Sequence, residues 1–205
     1  MAERFDALVL AGGLARRLEG ADKPALTLGG VTLLDRVLAA CAEARDVVCV
    51  GPERPTRRPV RWTREDPPGS GPAAALAAGL GLTRSPHVVV LAADLPFLTV
   101  ELVHSLWTAA GAEGRDGAVL TDRAGRDQWL AACYRRSSLT DAIAGYGSTA
   151  GLALKRLLSG FELARVPDLE GRAFDCDTWE DVDHVRRLVD GGGGDHRPSR
   201  AESEH

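Results

Sequence analysis

The sequence predicts an α/β fold, with three α/β/α layers built around a mostly parallel sheet that carries one antiparallel strand. Three observations lead there. Short apolar runs at 5–10 (FDALVL), 47–50 and 87–92 (HVVVLA) alternate with segments of helical spacing. The run at 87–92 is apolar on both faces, as expected at the centre of a parallel sheet. The runs at 117–121 and 129–135 are joined by a link too short for a helical crossover, so one of them is antiparallel.

The strand at 5–10 stops at Ala11-Gly12-Gly13, and residues 14–30 read as loop, with Gly20, Pro24 and the Gly29-Gly30 pair. Residues 32–44 carry apolar positions at Leu33, Leu34, Val37 and Leu38, and Thr32 is a suitable N-cap. A strand at 47–50 is closed by Gly51-Pro52, residues 54–58 form an exposed Pro- and Arg-rich connection, and 60–63 is a third strand. The turn at 65–72 (EDPPGSGP) precedes an alanine-rich helix at 73–82. After the strand at 87–92, Ala93-Asp94-Leu95-Pro96 breaks the pattern, and a helix follows at 100–110. Further on, 152–158 reads as part of a helix, 161–166 as the last strand and 179–189 as the last helix. Residues 1–190 are expected to form one domain, with 191–205 a disordered tail that is glycine-rich and polar.

The 205 residues suit one domain, and 44% hydrophobic content allows a sizeable core. With 25 Lys plus Arg against 29 Asp plus Glu, the net charge of -4 argues against general binding to nucleic acid or membrane surfaces. No apolar run reaches the roughly 18 residues of a membrane helix, and the N-terminus does not resemble a signal peptide. Cys41, Cys49, Cys133 and Cys176 form no C-x-x-C pair, so the expectation is a reduced, soluble, cytoplasmic protein. Trp62, Trp107, Trp129 and Trp179 are expected to serve packing.

Four segments carry the chemistry. The first runs from Leu10 through Ala11, Gly12 and Gly13 to Lys23, at the carboxyl end of a strand where open α/β sheets take ligands. Its glycines allow close backbone approach, and Arg16, Arg17 and Lys23 supply three cations, a combination suited to a triphosphate. An ordinary tight turn with solvated arginines is the competing reading. The second is Asp94 at the end of the central strand, placed to hold Mg²⁺ or to cap the next helix. The third is Asp66 with its glycine-rich turn, which suits a base or ribose but also a plain connecting loop. In the fourth (FDCDTWED), Thr178, Glu180 and Asp181 are explained as a helix start. Asp175 and Asp177 remain as carboxylates, one of which is available to the same metal as Asp94.

In this order the segments resemble the molybdenum cofactor guanylyltransferase (MobA-like) family of the nucleotidyltransferase superfamily. The matching residues are Leu10-Ala11-Gly12-Gly13, Arg16-Arg17, Gly20, Asp22-Lys23, Gly30-Val31-Thr32-Leu33-Leu34, the turn and helix at 66–79, Asp94-Leu95-Pro96-Phe97-Leu98 and part of 175–181. The resemblance implies a Rossmann-like nucleotidyltransferase fold and transfer of GMP from Mg·GTP to molybdopterin, releasing pyrophosphate. It implies that Leu10, Ala11, Gly12, Gly13, Lys23, Asp66 and Asp94 bind GTP, that Arg17, Lys23 and Asp94 are catalytic, and that Asp94 with Asp177 holds Mg²⁺. The implied partners are GTP, molybdopterin and the molybdoenzymes or chaperones that receive the product. Two departures stand out: Asp175 and Asp177 lie where many members have Asn, and the first loop reads Arg17-Leu18-Glu19-Gly20. The L-A-G-G form and the Gly71-Pro72 turn favour guanine. A cytidylyltransferase, a sugar-phosphate or phospholactate enzyme on the same scaffold, and a non-catalytic nucleotide-binding protein remain alternatives.

Overall fold

The computed structural model describes residues 4–12 and 22–191. Its elements in chain order are β1 (Asp6–Leu10), β2 (Thr27–Leu28), β3 (Val31–Thr32), α1 (Leu33–Ala40), β4 (Val47–Val50), β5 (Arg61–Thr63), α2 (Pro72–Leu80), β6 (His87–Ala92), α3 (Val100–Ala110), β7 (Gly117–Thr121), β8 (Asp127–Arg135), α4 (Arg136–Ala144), α5 (Leu154–Leu157), β9 (Leu163–Pro167) and α6 (Trp179–Gly191). Seven strands form one sheet in the order β5-β4-β1-β6-β8-β7-β9. β8 runs antiparallel to both of its neighbours, and every other pairing in this sheet is parallel. The expected mostly parallel sheet with one reversed strand is what the chain forms.

Alternation along the central strands sorts their side chains onto two faces. Ala7 and Val9 of β1, Cys49 of β4 and Val89 and Leu91 of β6 pack with Leu34, Val37 and Leu38 of α1 and Val103 and Leu106 of α3. Leu8, Val48, Val50, Val88 and Val90 pack on the other face with Leu76 and Leu80 of α2, Leu139 of α4 and Leu157 of α5. Burial on both faces explains why these strands read as continuous apolar runs. Gly79 lets α2 sit close on the sheet, because a Cβ there would lie 2.1 Å from a Leu8 methyl.

A third, smaller cluster lies off the main sheet. Leu28 and Leu33 pack with Cys176, Val182 and Val185, which binds the face of α6 to the start of α1 and to the β2–β3 hairpin. That hairpin begins inside the segment 14–30, which was expected to be loop throughout, and its second strand follows directly after it. Its strands have two residues each, too few to show period-two alternation, and Gly29 and Gly30, at φ 58° and 75°, form the turn between them. α4 was also not anticipated: it buries Leu139 alone and has no side-chain N-cap. α1 ends at Ala40, short of the expected 44. Trp62 and Trp107 pack against one core face and Trp129 against the other, but Trp179 is 40% exposed, so the packing expectation fails there. All four cysteines are buried free thiols. No described helix is long and apolar enough to cross a membrane. The expected tail lies outside the described residues beyond Gly191.

Candidate active site

The parallel strands β5, β4, β1 and β6 deliver their carboxyl ends to one edge of the sheet. Leu10 ends β1 there, and the Ala11 N–H continues the ladder to the Val50 carbonyl at 2.8 Å. β4 turns at Gly51 with φ 143°, and a Cβ there would stand 2.7 Å from the Ala11 carbonyl carbon and 2.8 Å from the Gly12 nitrogen. Only glycine lets the end of β4 lie this close to the end of β1. Gly12 is exposed at this edge. Gly13, Arg16 and Arg17, expected to line the triphosphate site, lie outside the described residues.

The centre of the site is an ammonium between carboxylates. Lys23 Nζ is 2.8 Å from Asp177 Oδ1 and forms a second ion pair with Asp94. The Lys23 side chain is 14% exposed and that of Asp94 19%. Burial pulls the Lys23 ammonium down, but Asp94 and Asp177 outweigh it, so its pKa is raised and the group stays charged at neutral pH. Asp94 Oδ1 is buried without a hydrogen-bond partner among the described residues. A carboxylate oxygen in that state is available to a ligand outside the chain.

Asp94 is not the cap of the following helix. Thr99 takes that role, its side chain accepting from the Leu102 N–H at 3.3 Å. The expectation for the late segment holds: the Asp181 N–H donates to Thr178 Oγ1 at 3.2 Å, which caps α6. Asp181 also does more than favour the helix dipole. Its Oδ2 accepts from the backbone of Asp177 at 3.0 Å and of Thr178 at 2.7 Å, which fixes the backbone that presents the Asp177 carboxylate. The Cys176 N–H reaches the Asp94 carbonyl at 3.2 Å, joining this segment to the end of β6. Burial, with Asp94 adding to it, pushes the Cys176 thiol up to about 12.

Asp175 flanks the cluster with an exposed side chain. Desolvation, then the charges of Asp177 and Asp94, raise its carboxyl above the ordinary value. Asp66 stands on the turn after β5, at the same sheet edge, and is exposed. Among the described residues, no hydrogen bond or ion pair joins it to the Lys23 cluster. The buried side chain on that turn is Glu65, whose Oε1 accepts from the Gly69 N–H at 2.9 Å.

One side chain at this edge had no signal in the sequence. Arg54 was assigned to an exposed connection, yet its side chain is 13% exposed. It pairs with Asp22 through Nε at 2.8 Å and through a terminal nitrogen at 2.6 Å, and its other terminal nitrogen donates to the carbonyls of Ala11 at 3.0 Å and Pro52 at 2.7 Å.

A metal fits this donor set in one way. The oxygens of Asp94 and Asp177 are hard donors suited to Mg²⁺, and Asp94 Oδ1 is buried with no hydrogen-bond partner among the described residues. Among the described residues, no three His, Cys, Asp or Glu side chains converge as a metal cage. Mg²⁺ needs none, since it is commonly held by one or two carboxylates together with substrate phosphates.

Comparison with known proteins bears on the family and the fold. The probable molybdenum cofactor guanylyltransferase of Mycobacterium tuberculosis is 36% identical over 151 residues, covering 68% of this chain and 73% of that protein. The molybdenum cofactor guanylyltransferase of Shewanella woodyi is 28% identical over 152 residues, covering 71% and 76%. Among solved structures, molybdopterin-guanine dinucleotide biosynthesis protein A of Archaeoglobus fulgidus aligns with a TM-score of 0.69 at 22% identity, covering 91% of this chain and 100% of that one. The 2-C-methyl-D-erythritol 4-phosphate cytidylyltransferase of Thermus thermophilus aligns equally well, with a TM-score of 0.69 at 22% identity over 91% and 99%. These two likenesses show the fold and do not separate the bases. The family model described as the MobA-like NTP transferase domain matches residues 7–166, and the chain belongs to that family.

Proposed function

We propose that this protein transfers GMP from Mg·GTP to the terminal phosphate of molybdopterin, releasing pyrophosphate. The observation that carries the proposal is the meeting of Lys23, Asp94 and Asp177 at the carboxyl edge of the sheet, beside the backbone of Leu10, Ala11 and Gly12. The names of the relatives at 36% and 28% identity support the guanine and molybdopterin assignments.

In this reading the backbone at Leu10, Ala11 and Gly12 lies against base and ribose, Gly13 also contributes to nucleotide binding, and Asp66 closes the nucleoside side. Lys23 and Arg17 bind the triphosphate. An oxygen of the acceptor phosphate attacks the α-phosphorus, and a new P–O bond forms. The bond from the α-phosphorus to the bridging oxygen breaks, and pyrophosphate leaves with the electron pair. The acceptor phosphate is already ionised near neutral pH, so no strong base is needed, and the chain contributes position and charge. Lys23 offsets negative charge growing on the departing pyrophosphate. Asp94 and Asp177 would hold Mg²⁺, which when bound neutralises phosphate charge and orients the reacting groups. We place the activity in the cytoplasm, in keeping with four free thiols.

The test is pyrophosphate release from GTP in the presence of molybdopterin and Mg²⁺, run beside CTP and UTP. GTP-dependent release with formation of the guanine dinucleotide is the expected result. Turnover with CTP alone would reassign the base, and absence of release with every nucleotide would overturn the enzymatic reading.

A further inference from the structure

Resting on the proposed nucleotide-transfer function, we infer that Arg54 is a positioning residue for the triphosphate: it clasps the chain at Ala11 to the chain at Asp22 and thereby sets where Lys23 stands. Ala11 and Asp22 lie on either side of residues 13–21, and one guanidinium holds both. Asp22 immediately precedes Lys23, so anchoring its carboxylate fixes the start of the Lys23–Ala25 turn. Anchoring the Ala11 carbonyl fixes the strand end whose next residue, Gly12, faces the proposed nucleoside site. The guanidinium spends its donors on two carbonyls and one carboxylate, which needs a planar fork that lysine lacks.

The arrangement exceeds an exposed surface ion pair. Arg54 is largely covered, and it reaches Ala11 because Gly51 allows the β4 turn to press against β1. No other described side chain joins the two ends of this segment. Lys23 therefore meets Asp94 and Asp177 from a position that Arg54 defines, although among the described residues no hydrogen bond or ion pair joins Arg54 to any of the three.

Kinetics on Arg54→Ala, Arg54→Lys and Asp22→Asn, with thermal melting of each, test this. The expected result is a KM for Mg·GTP raised about tenfold or more in Arg54→Ala, in line with the loss of a charge-assisted contact. Arg54→Lys is expected to recover only part of that loss. KM for the acceptor should stay within about twofold of the unaltered protein. Arg54→Ala combined with Asp22→Asn should cost no more than the larger single change, because both remove one contact. Millimolar methylguanidinium should partly restore nucleotide affinity in Arg54→Ala. Variants with unchanged KM for Mg·GTP in an active protein would overturn the clasp alone. Equal loss for nucleotide and acceptor, in step with falling thermal stability in all three variants, would make Arg54 a scaffold residue and also overturn it. An unaltered protein that binds no nucleoside triphosphate would overturn the functional reading itself, and with it the clasp.

Discussion

The two walls of the site are built differently, though they meet at one ammonium. The early wall, at the end of β1 and at Asp22 and Lys23, is held by long-range contacts: the Ala11 N–H on Val50, Gly51 pressed against Ala11, and the Arg54 side chain across to that of Asp22. The late wall, around Asp177, is held by the local exchange between Thr178 and Asp181 and by the packing of α6 on the β2–β3 hairpin, off the main sheet. A change in the early wall should therefore disturb fold and nucleotide binding together. A change in the late wall should disturb chemistry with less effect on the fold. Asp94 stands between them, bonded through its carbonyl to the late wall and placed two residues past the end of β6.

Asp94→Ala should give the largest effect. Turnover is expected to fall on the order of a thousandfold, while the melting temperature stays near its starting value. Loss of the Lys23 partner is offset in part by removing a buried oxygen that has no hydrogen-bond partner among the described residues. Near-normal Mg²⁺-dependent turnover in this variant would remove Asp94 from the metal assignment. Lys23→Ala comes next. A charged contact worth about 1.5–3 kcal/mol corresponds to a loss of roughly ten- to a hundredfold in kcat/KM for GTP. An effect below about threefold would break the claim that the ammonium at the meeting point serves the triphosphate.

Gly51→Ala tests the early wall where it is tightest. The backbone φ of 143° alone costs a side chain about 1–3 kcal/mol, and the new Cβ would strike the Ala11 and Gly12 backbone. Each kcal/mol lowers the melting temperature of a chain this size by about 2–4 °C, so a loss of several degrees together with weakened GTP binding is expected. Retained stability with weakened binding would show that the early wall is more local than the packing implies.

The early wall was more legible in the sequence than the late one. Leu10, Ala11, Gly12 and Lys23 lie in one short stretch that starts at a strand end, which is where the strand-end rule looks for a ligand edge; Gly13, Arg16 and Arg17 of the same stretch lie outside the described residues. Asp94 was legible for the same reason. Arg54 was not: the partners it joins, Asp22 and Ala11, lie 32 and 43 positions away, and a Pro- and Arg-rich stretch has the composition of a solvated loop. The β2–β3 hairpin escaped because two-residue strands carry no periodicity, and it is this hairpin that seats α6 and so brings Asp177 to Lys23. The late segment offered two aspartates and no means of choosing between them. In the structure Asp181 grips the Asp177 backbone and the Asp177 carboxylate pairs with Lys23, a pairing that Asp175 does not make among the described residues.

That choice leads to the mildest prediction. Thr178→Ala removes the α6 N-cap and one of the donors to the Asp181 carboxylate. A lost cap costs about 1 kcal/mol, or about 2–4 °C of melting temperature here. If Asp181 serves only the helix, the effect ends there and turnover per folded molecule is unchanged. If Asp181 also holds Asp177 toward Lys23, loosening it should lower kcat by a few-fold with KM for GTP little altered. Thr178→Ser should restore both quantities, since its hydroxyl can make the same two bonds. Asp181→Asn separates the roles further, because it keeps an acceptor for the backbone of Asp177 while removing the charge. A kcat that follows Thr178→Ala but not Asp181→Asn would show that geometry, not charge, is what the late wall supplies.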